Sequence, residues 1–481
     1  MEGTQFDFSY AEGTTPEQIL GFEIAGQIWS QYLADDVTIN IHVEMTDDLP
    51  ENVIGGALTE RQDIKHEDIW KEISKDLDVS DNLTAFDKAT DGNKFSTLVD
   101  GQTVNNIEQM KVTNANAKAL DMMDGNSNDL DGYIVMNNFT GQSNVGWDYD
   151  PLYDELKDSQ GETVLVDGEP VLIDNVLEDN ELDFVTVAIH EIGHVMGFVS
   201  GVDDADWLYV VDKANEKGKE IKGSDLKFAT PFDLFRYSGD GQMDLSVGTE
   251  AYFSIDGGKT NLANFSTGED KAMGGDGFQA SHWKQSDDDA VGIMDPQLKV
   301  GQQREISSLD LTAMDVIGWD VVDPGQLDLE ELYDTASDNA DDVLVADRSE
   351  DIEKMIEESE TYHGRRSRRG RCSWQVGLWQ NIEFQTLDAD NSHSEADMAQ
   401  VLFVDDMSQF DSNIATQSET DEGDYITENE LEVEETVVQP LENSETVNSE
   451  ASTLDLETLG QLLSQKLEVY EADSAVLMPM G

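Results

Sequence analysis

The nine residues His190-Glu191-Ile192-Gly193-His194-Val195-Met196-Gly197-Phe198 constrain this chain more than any other stretch. Two histidines four residues apart lie on nearly the same face of a helix, so both imidazoles can reach one metal ion. Glu191 follows the first histidine, where it can meet a metal-bound water without being a ligand. The preceding Phe184-Val185-Thr186-Val187-Ala188-Ile189 is apolar except for Thr186, so this helix is core whatever its histidines do. A bare HExxH pattern arises by chance, and the extension to Gly197 together with features far downstream is what favours a zinc site. On that reading His190 and His194 are ligands and Glu191 is a general base.

Composition narrows the setting. The chain has 481 residues, with 104 acidic against 28 basic and a net charge of −76. Such a surface repels nucleic acid and anionic membranes and favours divalent cations and basic substrates. Adaptation to high salt gives the same bias. The single cysteine, Cys372, excludes an intramolecular disulfide and a multi-cysteine zinc site. The N-terminus lacks the basic and apolar regions of a standard secretory signal, and no apolar stretch is long enough to span a membrane. The expectation is a protein secreted by a route that reads no N-terminal signal, with a cytoplasmic location as the alternative.

Along the chain, Thr15-Pro16-Glu17 reads as a helix start, followed by apolar Ile19, Leu20, Ile24, Ile28 and Leu33. Val37 to Met45 alternates as a half-buried strand, with His42 on the polar face as a surface residue. Tyr133 to Met136 is a further strand, preceded by the acidic loop Asp124 to Gly132. That loop has the composition of a Ca²⁺ site but lacks the glycine and glutamate of an EF-hand, and reads as a solvated turn. Hairpins are expected around Asp167-Gly168 and Asp256-Gly257-Gly258. The zinc helix opens near Asp183. Ser308 to Ile317 is a short amphipathic helix with Leu309, Met314, Val316 and Ile317 inward. Asp323-Pro324-Gly325 marks the expected end of the folded domain. Beyond it the chain is acidic and polar, and most of 326–481 reads as disordered, with a helix over Leu454 to Tyr470. One island interrupts it: Arg365, Arg366, Arg368, Arg369 and Arg371, followed by Trp374 and Trp379. It reads as a processing site, a docking element or a plain basic linker.

A catalytic zinc takes three protein ligands. The position three residues beyond Gly197 holds Ser200, a poor ligand. Three candidates remain: Asp203 or Asp204, which read equally well as turn residues; Glu216, in a charged segment; and His282, within Ser281-His282-Trp283 and followed by Gly292-Ile293-Met294-Asp295-Pro296. The order His190, Glu191, His194, Gly197, Phe198, then His282 in a Ser-His-Trp context, then Met294, resembles the zinc site of leishmanolysin-like metzincins. The stretch from Thr15 to Trp319 is also similar to a group of bacterial metzincin-like proteins that share its Asp233-Leu234-Phe235-Arg236-Tyr237-Ser238 and Gly292 to Pro296 segments.

The resemblance implies His282 as third ligand and Met294 as the methionine of a Met-turn. It implies an α+β fold over 1–325. An N-terminal subdomain, 1–198, would hold a twisted sheet and helices including the zinc helix. An irregular C-terminal subdomain, 199–325, would hold the Met-turn and a short helix, ahead of the acidic tail 326–481. By analogy Tyr133 to Met136 could be the edge strand that aligns an extended substrate. The activity implied is that of a zinc endopeptidase with one catalytic Zn²⁺, acting on a protein or peptide, and with Ca²⁺ as a further candidate cofactor. The alternative is a non-catalytic acidic, cation-binding or interaction protein that keeps the fold.

Overall fold

A computed structural model describes residues 3–47, 49, 52–76, 94–140, 142, 145–149, 153–155, 165–166, 169–170, 172–174, 177, 180–204, 211, 218–285, 290–325, 327–340, 343–359 and 383–387. All fall within the first of two units, Met1–Gln409. Glu216, the arginine island, Leu454 to Tyr470 and all of 388–481 lie outside the described residues.

The architecture is α+β, as expected, and centres on one seven-stranded sheet. Its strands are β1 (Gln5–Tyr10), β2 (Thr38–Thr46), β3 (Val53–Thr59), β4 (Gly132–Asn137), β5 (Gln297–Leu298), β6 (Leu344–Val345) and β7 (Glu383–Leu387), in the order β5-β7-β3-β4-β2-β1-β6. Strands β6, β1, β2 and β4 pair in parallel. β3 runs antiparallel to β4, β7 runs antiparallel to β3, and β5 runs parallel to β7.

The helices are α1 (Pro16–Tyr32), α2 (His66–Asp76), α3 (Asn114–Ala119), α4 (Phe184–Met196), α5 (Ser308–Val316), α6 (Leu329–Ala340) and α7 (Ser349–Ser359). α1 begins where its sequence places it: Thr15 caps it and forms a reciprocal pair with Gln18. It packs against α4, and the buried indole of Trp29 donates to the Ile189 carbonyl at 3.0 Å. α4 is buried along its whole length between α1 and strands β3, β4 and β7. Among the described residues no helix is long and apolar enough to cross a membrane.

Three expectations need correction. Asp323-Pro324-Gly325 does not end the fold. α6 packs on α1, β6 pairs with β1, and β7 lies inside the sheet between β5 and β3. His42 is not a surface residue: it is 2% exposed, bonded through Nδ1 to Ser9 Oγ at 2.9 Å and stacked on Tyr133. Burial holds its pKa down at about 4. The two errors share a cause, because Met355 of α7 joins a second apolar cluster with Leu58, Tyr133 and Val135. A segment assigned to the tail thus covers the sheet face that the alternation of β2 had left to solvent. Finally, Tyr133 to Met136 is not an edge. β4 is paired on both sides, by β2 and β3.

The expected hairpin around 167–168 is present, with Leu165–Val166 against Glu169–Pro170, but Leu172–Asp174 pairs with Tyr153–Glu155 instead. The hairpin around 256–258 is present, but its second strand is Ala263–Asn264, paired with Tyr252–Phe253, rather than the expected 260–262. The acidic loop is closed by the protein itself. Lys118 Nζ reaches Asp131 Oδ2 at 2.6 Å and the Ser127 carbonyl at 3.3 Å, while Asn40 takes the carbonyls of Ser127 and Asp129. The Lys118–Asp131 pair is fully buried at one end of this loop.

Candidate metal centre

Asp183 caps α4, its carboxylate accepting from Thr186 N at 2.5 Å, so the helix starts where the sequence sets it. It ends at Gly197, whose φ of 122° is a conformation that a side chain disfavours. The chain turns there. The Phe198 carbonyl then accepts from His194 Nδ1 at 2.7 Å. Gly197 therefore both stops the helix and orients its second histidine.

His282 reaches the same place from 88 residues further on. Among the described residues, His190, His194 and His282 form the one cluster of candidate ligands able to hold a metal ion, and all three are fully buried. Their Nε2 atoms stand 3.1 Å (His190 to His194), 3.2 Å (His194 to His282) and 3.3 Å (His190 to His282) apart. Three nitrogens bound tetrahedrally to zinc at about 2.0–2.1 Å would be about 3.3–3.4 Å apart. Each Nδ1 faces a backbone carbonyl: Ile293 at 2.7 Å, Phe198 at 2.7 Å and Gln279 at 3.1 Å. A carbonyl only accepts, so each Nδ1 carries the proton and three Nε2 lone pairs converge. Three acceptors aimed at one point form a site that could hold a metal ion. Burial lowers the pKa of all three rings, helped at His190 and His194 by the neighbouring imidazoles, and that of His282 lies at about 4. Neutral imidazole is the form that binds metal.

The rejected candidates hold the third histidine in place. Ser200 donates its N–H to Ser281 Oγ at 2.8 Å and its hydroxyl to Asp233 at 2.6 Å. Asp203 accepts from Ala280 N at 2.6 Å and Glu269 N at 2.9 Å, so it ties down the approach to His282. Neither Asp203 nor Asp204 belongs to the histidine cluster. Met294 is fully buried, and its sulfur fills the space left by the missing side chain of Gly193, between the two helix histidines in sequence. Asp295 accepts from Val291 N and Gly292 N and pairs with Arg304 at 2.7 Å, which fixes the turn around Met294.

Glu191 is fully buried on the side of α4 that faces β3. Its Oε1 lies 2.8 Å from where a Cβ on Gly55 would stand, so only glycine admits the carboxylate there. The residues that sequence reasoning missed are Asp310 and Gln385. Asp310 had a signal: it sits four and seven residues before Met314 and Ile317, an acid on an apolar stripe. Gln385 had none beyond a short run of low charge.

Comparison with known protein families, with curated proteins and with solved structures finds no match.

Proposed function

We propose that this protein is a zinc-dependent endopeptidase of metzincin type. The observation that carries the reading is the convergence of three Nδ1-protonated imidazoles, with a buried glutamate one residue after the first of them. His190, His194 and His282 would hold Zn²⁺, which is the ion suited to a three-histidine site with an open fourth position. Bound there, zinc supplies Lewis acidity toward water and the scissile carbonyl. Glu191 takes the proton of the attacking water and returns it to the departing amine. The closed shell of carbonyls and carboxylates around the ligands keeps the imidazoles in one tautomer through the cycle.

The test is hydrolysis of a peptide library by the purified, zinc-loaded chain. We expect cleavage that a chelator abolishes and added zinc restores. Cleavage indifferent to the chelator, or a zinc-loaded chain that cuts no faster than its Glu191→Gln variant, contradicts the reading.

A further inference from the structure

The central sheet contains a strand that arrives from far along the chain. β7 enters between β3 and β5, pairing Glu383 with Ala57, Phe384 with Gly56 and Gln385 with Gly55. On its other side Thr386 pairs with Gln297 and Leu387 with Leu298. Both flanking strands border the three-histidine centre: β3 through Gly55, against which Glu191 lies, and β5 through the turn that carries Ile293 and Met294. Without β7 the two would be separated by a slot one strand wide, about 9–10 Å from backbone to backbone.

The register places one side chain of β7 against the first histidine of the centre, on the Nδ1 side of its ring. Gln385 stands opposite Gly55, is fully buried, and brings its Nε2 to 3.3 Å from His190 Nδ1. His190 Nδ1 already faces the Ile293 carbonyl, and among the described residues Gln385 Oε1 has no hydrogen-bond partner. Exchanging the amide oxygen and nitrogen leaves the other atom unpaired instead. A buried amide atom left unsatisfied costs about 1–3 kcal/mol. The pairing also slips at this point, from Gly55 to Val53, so Ile54 has no partner on β7. β7 is therefore least well held where it passes the histidines.

We propose that the slot between β3 and β5 is a binding groove for an extended peptide, and that residues 383–387 are its resident, intrachain occupant. A substrate strand takes the place of β7, antiparallel to β3, with an uncharged polar side chain beside His190. The parent chain is then largely self-blocked, and the hydrolysis expected of it comes from the small fraction of molecules that β7 has left. This rests on the endopeptidase reading for its consequence, but the groove and its occupant can be tested without turnover. Covalent attachment gives β7 a high effective concentration at the groove, against which a free peptide must compete. Residues 360–382, which carry the arginine island in their sequence, make that attachment, and a cut there would leave β7 free to dilute away.

The experiment uses the full chain and its variant with Phe384→Pro and Gln385→Pro, which removes adjacent N–H groups from both edges of β7. The probe is a fluorescein-labelled peptide with the sequence of residues 380–390. We expect the variant to bind it at least tenfold more tightly than the parent chain. Hydrogen exchange at the amides of Val53 to Ala57 that face β7 should be fast in the variant and slowed again by the peptide, while those bonded to β4 stay protected. Equal binding by parent and variant, or no binding by a variant that unfolds cooperatively, overturns the proposal. A second variant of the full chain carries a site-specific protease sequence in place of 372–377. After cleavage the fragment bearing β7 should separate on dilution. A fragment that stays bound at nanomolar concentration marks β7 as an ordinary structural strand. If binding and exchange behave as expected but the proline variant hydrolyses nothing, the groove stands and the endopeptidase reading falls.

Discussion

The Trp283 indole donates to Asp310 Oδ1 at 2.7 Å, tying the residue after the third histidine to helix α5. The same carboxylate accepts from Ile293 N at 2.9 Å, Met294 N at 3.4 Å and Ser307 N at 2.7 Å. Ile293 in turn presents the carbonyl that orients His190. Burial pushes the Asp310 carboxyl up while these donors pull it down. One buried acid thus joins His282, the Met294 turn and His190. Asp310→Asn must turn an amide N–H toward backbone or indole donors. We expect zinc affinity to fall about 10–100-fold and stability to fall by at least about 2 kcal/mol. Competition against a chromogenic chelator and a denaturant titration measure both; zinc affinity that stays unchanged removes Asp310 from the site's support.

His282→Ala deletes one of three converging nitrogens. Zinc binding should weaken by about three orders of magnitude or more, whereas Glu216→Ala should leave it intact. Isothermal titration with zinc decides between them, and a larger effect at Glu216 would move the protein to a site of two histidines and a glutamate.

Glu191→Gln keeps the shape of a side chain that is not among the three converging ligands. Peptidase turnover should drop about 10²–10⁴-fold with zinc stoichiometry unchanged. Near-parental turnover would leave the base unassigned.

Glu23 is buried in α1 and accepts from Tyr10 Oη at 3.0 Å. Burial raises its pKa to about 7, from the 4.5 of a free glutamate, against the opposing bonds from Tyr10 and Asn339. A raised folded-state pKa means that the native chain binds more protons, so the stability it confers is complete below pH 4.5 and is lost as pH rises to 7. Glu23→Gln should therefore leave stability unchanged at about pH 4.5 and raise it at about pH 8 by about 1–3 kcal/mol. Thermal unfolding across that range, parent against variant, gives the answer; a variant destabilised equally at both ends contradicts the assignment.

The parts of the fold legible in the sequence are those set by local chemistry. Thr15 with Gln18 and Asp183 with Thr186 each fix a helix start where it was expected, and Gly197 at positive φ fixes the end of α4. The histidine convergence was legible because α4 fixes two of the rings and the Ser281-His282-Trp283 context marks the third. What was not legible depends on pairing across long sequence separations. β7 meets β3 more than three hundred residues away, through backbone hydrogen bonds that leave little trace in side-chain pattern. α7 packs through Met355 into the cluster that holds Tyr133, on which His42 stacks, and no periodicity within β2 can announce a helix that far along the chain.

The most direct test is X-ray absorption at the zinc edge on the purified full-length chain, with metal content measured on the same sample. The account predicts one zinc per chain, bound by three imidazole nitrogens at about 2.0–2.1 Å and one further light atom. A chain that retains no zinc at stoichiometric supply, or a shell with fewer than three imidazoles, contradicts it.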